Sequence, residues 1–397
     1  TMLLLPTIRL VSKIGTKLKR YIMNVLITGG AGFIGQHLCR RLLLDGHHVK
    51  ILDSFSGQVH SAQDLPDDLA QHIQVFRGDI RDRELLIEAV SGSTSVVHLA
   101  AETGTGQSMY EIERYFSVNV QGTAVLLDVL ANESAADAVS SLVVASSRAV
   151  YGEGQYSCAK HGTVAPGQRS VSNMKNGVFD PLCPVCLGSV DLQMTSESAP
   201  LNPLSYYGLT KQIQEQACLM HAKNRGISGF GLRYQNVYGP GQSLKNPYTG
   251  ILAIFSNLAR QDANIQVYED GLESRDFIYI DDVIDATVGC LNHDDTYIGA
   301  LNVGSGCATS VIEVATLIKS YFNSDSVVSV DGQFRVGDIR HNIADIALIN
   351  DIVGFSPKTS FAEGLSSFLD WASDQAVSDT AAYTSSVKEL SIRGLMG

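Results

Sequence analysis

Positive charge is scarce in this chain: 29 Lys and Arg stand against 41 Asp and Glu, a formal net charge of −12 over 397 residues. That balance opposes nucleic-acid or anionic-membrane binding as a general activity, so an anionic ligand has to be met by a few local cations. Internal repeats and low-complexity runs are missing, which excludes a solenoid. The first residues do not follow the layout of a secretory signal. Residues 1–22 carry Arg9, Lys13, Lys17, Lys19 and Arg20 and no acid. They show only the short apolar run Met2-Leu3-Leu4-Leu5, ahead of those charges, whereas a secretory signal places charge first and a longer apolar run after it. An upstream mis-start, an appended remnant and a basic amphipathic helix all stay open for this extension. Disulfide patterning is absent as well. Four of the seven cysteines, Cys39, Cys218, Cys290 and Cys307, lie scattered in apolar or helical contexts and read as buried thiols, a usage that points to the cytoplasm. At this length the chain can bury a sizeable core.

What is present is an ordered series of motifs. Asn24-Val25-Leu26-Ile27 reads as a strand. It runs into Thr28-Gly29-Gly30-Ala31-Gly32-Phe33-Ile34-Gly35, and a helical apolar spacing follows through Leu44. Strand, glycine turn and helix form the context of a dinucleotide site: Gly29 and Gly32 let the backbone approach a pyrophosphate, and the helix start offers free N–H groups. Gly35 lets the helix pack on the strand. The next apolar run, Val49-Lys50-Ile51-Leu52, ends in Asp53, where a carboxylate can accept hydrogen bonds from both adenosine ribose hydroxyls and repel a 2′-phosphate. NAD is therefore expected over NADP.

Tyr207 and Lys211 head a helical segment and fall at i and i+4 on one face, which predicts phenol and ammonium as neighbours. A tyrosine whose phenolate is favoured by nearby positive charge can take a proton from a sugar hydroxyl while hydride leaves the same carbon. Ser147 closes the buried-strand pattern Leu142-Val143-Val144-Ala145-Ser146-Ser147, so it should open into the ligand crevice and hydrogen-bond the reacting oxygen.

With these residues the chain resembles the extended short-chain dehydrogenase/reductases of the nucleotide-sugar epimerase and dehydratase group, from Met23 to about Trp371. The glycine run, Asp53, Asp79-Ile80, His98-Leu99-Ala100-Ala101, Asn119, Ser146-Ser147-Arg148-Ala149-Val150-Tyr151-Gly152 and Tyr207 with Lys211 match that group's motifs. The resemblance implies an α/β fold, a Rossmann-type doubly wound parallel sheet with a smaller α/β C-terminal substrate lobe. Boundaries follow: extension 1–22, NAD-binding domain 23–240, mainly substrate lobe 241–374 with 276–304 returning to the first domain, and a peripheral tail 375–397. It also implies cofactor contacts from Gly29, Gly32, Phe33, Ile34, Gly35, Asp53, Asp79, Ile80, Leu99, Ala100, Ala101, Asn119, Tyr207, Lys211 and Gln235. Thr103, Ser147, Asn236, Arg275 and Arg335 would meet a nucleotide-diphosphate sugar, the arginines on its diphosphate. The helices around 120–130 and 207–220 would pair into a homodimer.

Within the group, dehydratases carry Asp-Glu directly after the active-site Ser/Thr; Arg148 and Ala149 stand there and cannot do that acid–base work. Reductases consume NADPH, which conflicts with Asp53. A 4-epimerase remains, oxidising carbon 4 and returning hydride to the other face. A non-catalytic dinucleotide-binding scaffold or sensor is the alternative of another class, and such proteins typically lack the serine, tyrosine or lysine present here.

The interval from Tyr151 to Tyr207 is far longer than the group's usual spacing, which marks an insertion at about 153–200. It holds Cys158-Ala159-Lys160-His161 and Cys183-Pro184-Val185-Cys186. One C-x-x-H and one C-x-x-C suit a tetrahedral structural Zn²⁺ knuckle, which would supply folding energy to a segment with little core. A Cys183–Cys186 disulfide and idle thiols are the competing readings. The insertion, Glu102 to Ser108 and Gly337 to His341 are similar to the dTDP-L-rhamnose 4-epimerase subgroup, with UDP-glucose 4-epimerases as near rivals.

Overall fold

Alternating burial along the first strand builds a two-sided core. The computed structural model describes residues 22–58, 64–244, 250–377 and 381–397; the basic stretch 1–21 lies outside them. In β1 (Asn24–Thr28), Val25 and Ile27 point into one apolar cluster and Leu26 into the other, the period-two pattern of a strand covered on both faces. β2 (His48–Asp53), β3 (Gln74–Arg77), β4 (Ser95–His98), β5 (Ser141–Ser147), β6 (Ser228–Tyr234) and β7 (Ile298–Val303) complete one sheet in the order β7-β6-β5-β4-β1-β2-β3. Every pairing in it is parallel. Strand order reverses at β1, between β2 and β4, so the crevice beyond the strands' carboxyl ends opens there.

One face is covered by α1 (Phe33–Leu44) and the helix Ile280–Leu291, through Leu38, Leu42, Val283 and Ile284. On the other lie α2 (Arg83–Val90), α3 (Gly122–Asn132) and α4 (Tyr206–Arg225), through Leu86, Leu126 and Cys218. Two glycines are required where strand turns into helix. Gly29 has φ of +72°, and a β-carbon there would stand 2.7 Å from the Ala100 nitrogen; one on Gly35 would stand 2.6 Å from the Gly30 oxygen. A third core, from Leu252, Phe255, Val314, Ile318 and Phe368, belongs to the C-terminal lobe.

Two expectations are corrected. Cys39, Cys218 and Cys290 are buried, but Cys307 is exposed, on the turn that follows β7. The tail is not peripheral. Its helix Ala381–Ile392 buries Leu390 beside Gly106, and Arg393 lies 4.5 Å over the Tyr110 ring. The final residues then pair with the 334–336 segment: Phe334 N–H donates to Gly397 O (2.9 Å), Gly397 N–H to Phe334 O (3.1 Å) and Val336 N–H to Leu395 O (2.9 Å). A Ser-, Ala- and Thr-rich composition hides this docking, because backbone hydrogen bonds carry much of it.

Behind the carboxyl ends of β5 and β6 sits a buried, bidentate ion pair. Arg233 donates to Glu215 through Nε (2.9 Å) and Nη2 (2.6 Å), with both side chains at most 5% exposed. Ser146 Oγ donates to the same carboxylate (2.5 Å), Arg233 Nη1 donates to the Tyr151 hydroxyl (2.7 Å), and that hydroxyl donates to Asn302 Oδ1 (2.7 Å). Helix α4 and strands β5, β6 and β7 are thereby tied at one level. Replacing Arg233 with Met strands a buried carboxylate, a class of change that costs about 3–5 kcal/mol. A urea midpoint within error of the parent's would show the pair to be dispensable.

Candidate active site

The crevice at the switch point is a cleft of about 930 Å³. The N-cap of α1 is Gly32, which offers no side-chain cap, and no acid occupies the first turn, so the helix start suits a phosphate. Asp53 braces this loop as well as facing the cleft: its Oδ2 accepts from Ala31 N–H (2.9 Å) and its Oδ1 from Phe55 N–H (2.8 Å). Phe33, Ile34, Asp79, Ile80, Leu99, Ala100 and Ala101 line the same wall. At the far end the side-chain Nε2 and Oε1 of Gln235 and the Oδ1 of Asn236 are buried with no protein partner. Both residues line the cleft, and orphaned amide atoms there suit a ligand that brings its own donors and acceptors.

Asn119, expected among the cofactor contacts, is absent from the lining. It sits in a π-helical stretch, Phe116–Gln121, fully buried. Its Oδ1 accepts from Glu102 N–H (2.7 Å), and its Nδ2 donates to Glu102 O (3.1 Å) and Thr210 Oγ1 (2.9 Å). The extra residue per turn re-aims the side chain, so Asn119 holds the loop over the cleft to helix α4. Tyr115 anchors that loop too, donating its hydroxyl to Thr103 O (2.8 Å), and Thr103 faces the cleft.

Ser147 is the last residue of β5 and pairs in register with Tyr234 of β6. Ser205 caps α4, its hydroxyl accepting from Gly208 N–H (3.1 Å), so the helix begins at Tyr206 and sets Tyr207 in its first turn. The Tyr207 phenol and Ser147 line the same cleft, and Ser147 acts on the phenol there. Burial pushes that phenol above its ordinary range, while the Ser147 contact and the Arg148 charge pull it down. The expected neighbour, Lys211, is buried with its ammonium lowered to about 8 by burial, and its Nζ donates to Gln214 Oε1 (2.8 Å). Arg148 lines the same cleft, and its charge bears on the phenol. Sequence reasoning treated that residue only as the absence of a dehydratase acid; its one signal was a charge set directly after a strand-terminal serine.

Arg275 and Arg335, expected on a substrate diphosphate, lie outside the cleft lining. Arg275 spends its guanidinium on the 338–340 segment: Nη1 donates to Arg340 O (3.0 Å), Nη2 to Ile339 O (2.8 Å) and to Asp338 Oδ1 (3.1 Å). Arg335 lies 4.8 Å over the Tyr268 ring, with its Nε buried and without a partner. The charges of Arg275, Arg335 and Arg148 all bear on the Asp338 carboxyl and hold it below its ordinary range. Of the three, Arg275 bonds that carboxylate directly.

In the insertion, the strands Tyr156–Cys158, Gly162–Val164 and Asp191–Leu192 form a small antiparallel sheet. Its turns bring Cys158, His161, Cys183 and Cys186 together, with all four ligand atoms within 4.8 Å of one another. Cys158 Sγ lies 3.5 Å from His161 Nδ1 and 3.8 Å from Cys186 Sγ; Cys183 Sγ lies 3.5 Å from the same Nδ1. Tetrahedral bonds of about 2.3 Å to sulfur imply edges of about 3.8 Å, so the four fit one zinc ion.

The NAD dependent epimerase/dehydratase family matches residues 25–170 and 187–304. The chain is 36% identical to the dTDP-L-rhamnose 4-epimerase of Burkholderia thailandensis over 354 residues, covering 89% of this chain and 95% of that one. It is also similar to two solved structures. MoeE5 in complex with UDP-glucuronic acid and NAD aligns with a TM-score of 0.70 and 28% identity, covering 88% of this chain and 99% of that chain. The UDP-glucose 4-epimerase of Thermotoga maritima with UDP-glucose aligns with a TM-score of 0.71 and 26% identity, with the same coverage.

Tyr207→Phe should leave thermal stability and dinucleotide binding near the parent's and slow the redox step at least ~100-fold, the loss typical of removing general acid–base help. A base works deprotonated, so activity should rise with pH through the Tyr207 titration. Arg148→Ala removes a charge that favours the phenolate and should move that limb to higher pH. A pH–rate profile unmoved in the Arg148 variant would assign the phenol's activation to another group.

Proposed function

The chain belongs to the NAD dependent epimerase/dehydratase family, and from that membership we propose that it is an NAD-dependent nucleotide-sugar 4-epimerase acting on dTDP-L-rhamnose and dTDP-6-deoxy-L-talose. In this reading the start of α1 would hold the pyrophosphate of NAD, Asp53 its adenosine ribose and Gln235 its carboxamide end. The bound cofactor would supply reversible hydride transfer at carbon 4 of the sugar. The chain's own residues handle the proton. Ser147 holds the carbon-4 oxygen, Tyr207 takes its proton as the ketone forms and returns it after the sugar has turned over, and Lys211 holds the cofactor side of the pair.

The convergence of Ser147, Tyr207 and Lys211 on one cleft at the strand ends carries the reading. Arg148 and Ala149, standing where dehydration would need an acid and a base, support epimerisation. The dTDP-L-rhamnose assignment rests on the 36% relative and on the inserted segment; the UDP-glucose/UDP-galactose pair is the second reading, favoured by the structural neighbours. A non-catalytic scaffold fits poorly with a site that keeps Ser147, Tyr207 and Lys211.

Three further elements belong to the proposal. A structural Zn²⁺ is held by Cys158, His161, Cys183 and Cys186, supported by their mutual distances. The protein works in the cytoplasm, supported by its cysteine usage, which a localised fluorescent fusion would check. It is a homodimer, supported by half-covered apolar side chains along one side of the α3 and α4 region, among them Phe116, Val120, Leu127, Ile213 and Ala217, with Met220 65% exposed.

Purified protein given dTDP-L-rhamnose and no added cofactor should interconvert the two dTDP sugars and pass transiently through the NADH absorption band. Conversion of UDP-glucose alone would select the second reading, and a stoichiometric need for NADPH would mean a reductase. Light scattering at micromolar concentration should return twice the chain mass; a monomer there refutes the dimer.

A further inference from the structure

We propose that the metal-held insertion positions the nucleotide-diphosphate pocket, with Arg169 as the positioning residue that connects them. The metal's part in this rests on reading the Cys/His cluster as a zinc site. The link itself is made by buried ion pairs.

Arg169 belongs to the inserted segment and is 4% exposed at its side chain. Its Nε donates to Glu153 Oε1 (2.9 Å), its Nη1 to Phe179 O (2.9 Å) and to Glu269 Oε1 (2.8 Å), and its Nη2 to the Asp338 carbonyl (3.1 Å). Glu153 then reaches the same segment from the other side, its Oε2 accepting from Arg340 N–H (2.8 Å). Arg340, 2% exposed, returns the contact to the insertion through Nε to Asp180 Oδ1 (2.8 Å), and its Nη1 also donates to Glu269 Oε2 (3.0 Å). Met174 and Phe179 pack on Phe334 in a separate small apolar cluster.

The backbone from Phe334 to Arg340 is thus held on one side by the insertion and on the other by Arg275. That stretch bears Arg335 and Asp338, the carboxylate on which Arg148, Arg275 and Arg335 act. Its placement decides where Arg335 and the Asp338 carboxylate stand, and Arg275 bonds that carboxylate. Arg169, Met174, Phe179 and Asp180 all lie in residues 162–182, the loop between His161 and Cys183. A metal that binds both ends closes this loop and removes the freedom that would otherwise oppose seating Arg169. Loss of the metal should therefore weaken the anion pocket and leave the glycine loop, which the insertion's ion pairs do not touch, unaffected.

The test uses whole protein prepared without a histidine tag. Zinc is counted by elemental analysis, and dTDP, UDP and NAD affinities are measured by calorimetry, which needs no turnover and so does not depend on the epimerase reading. Arg169→Met should retain one zinc per chain, bind dTDP or UDP at least 10-fold more weakly and bind NAD within two-fold of the parent, with Arg169→Lys partly restoring the nucleotide. Cys183→Ser and chelated protein should show the same split, and combining Cys183→Ser with Arg169→Met should add little, as expected of two changes on one route. Well under one zinc per chain overturns the metal reading, while the Arg169 variants still decide the positioning role. Unchanged nucleotide affinity in Arg169→Met, or equal loss of nucleotide and NAD, overturns the positioning role itself.

Discussion

The bidentate pair between Glu215 and Arg233 is the contact on which the catalytic geometry depends. Two opposite charges withdrawn from water are tolerable only when their remaining hydrogen-bonding capacity is met, and here Ser146 and Tyr151 meet it. The consequence is positional. Glu215 lies two turns along α4 from Tyr207, Ser146 directly precedes Ser147, and Arg233 directly precedes Tyr234, so one buried network sets helix, serine strand and neighbouring strand in mutual register. A salt bridge adds little net stability over an apolar filling of the same space. Its directionality is what an apolar filling lacks, and a phenol has to meet a hydroxyl within a few tenths of an ångström.

Charge in the cleft is arranged by the same economy. An acidic protein that must hold an anion concentrates its cations, and Arg148, Arg275 and Arg335 are gathered around one carboxylate, Asp338. Burial lowers the Arg148 guanidinium to about 10, with Arg275 adding to that effect, so this cation sits in an environment that favours an added negative charge. The same guanidinium acts on Tyr207.

The insertion and the C-terminal segment bound this pocket from two directions, and neither belongs to the sheet. The insertion has a three-stranded sheet of very short strands and little apolar interior, and its contacts with the 334–340 segment run through Glu153, Arg169, Met174, Phe179 and Asp180. The tail reaches the same 334–336 backbone through an isolated antiparallel bridge. Residues far apart in the chain thus converge on one stretch of backbone that carries no regular structure of its own between Phe334 and Arg340.

Much of the fold and half of the site were legible in the sequence, because they depend on local rules. Strand period, the glycine turn, Asp53 at the end of β2, Ser147 at the end of β5 and the capped helix holding Tyr207 follow from backbone geometry within a few residues. The paired spacing of Cys158 with His161 and of Cys183 with Cys186 is local in the same sense. What tertiary structure alone decided was where long side chains spend their charge. Asn119 is buried in a π-helical turn, Lys211 turned to Gln214, and Arg148 lines the cleft with its charge bearing on the phenol. Arg275 closed on a backbone segment some sixty positions away. An arginine has several torsions and reach in every direction, so its partner is chosen by which carbonyls and carboxylates the finished fold brings near, and no spacing along the chain encodes that.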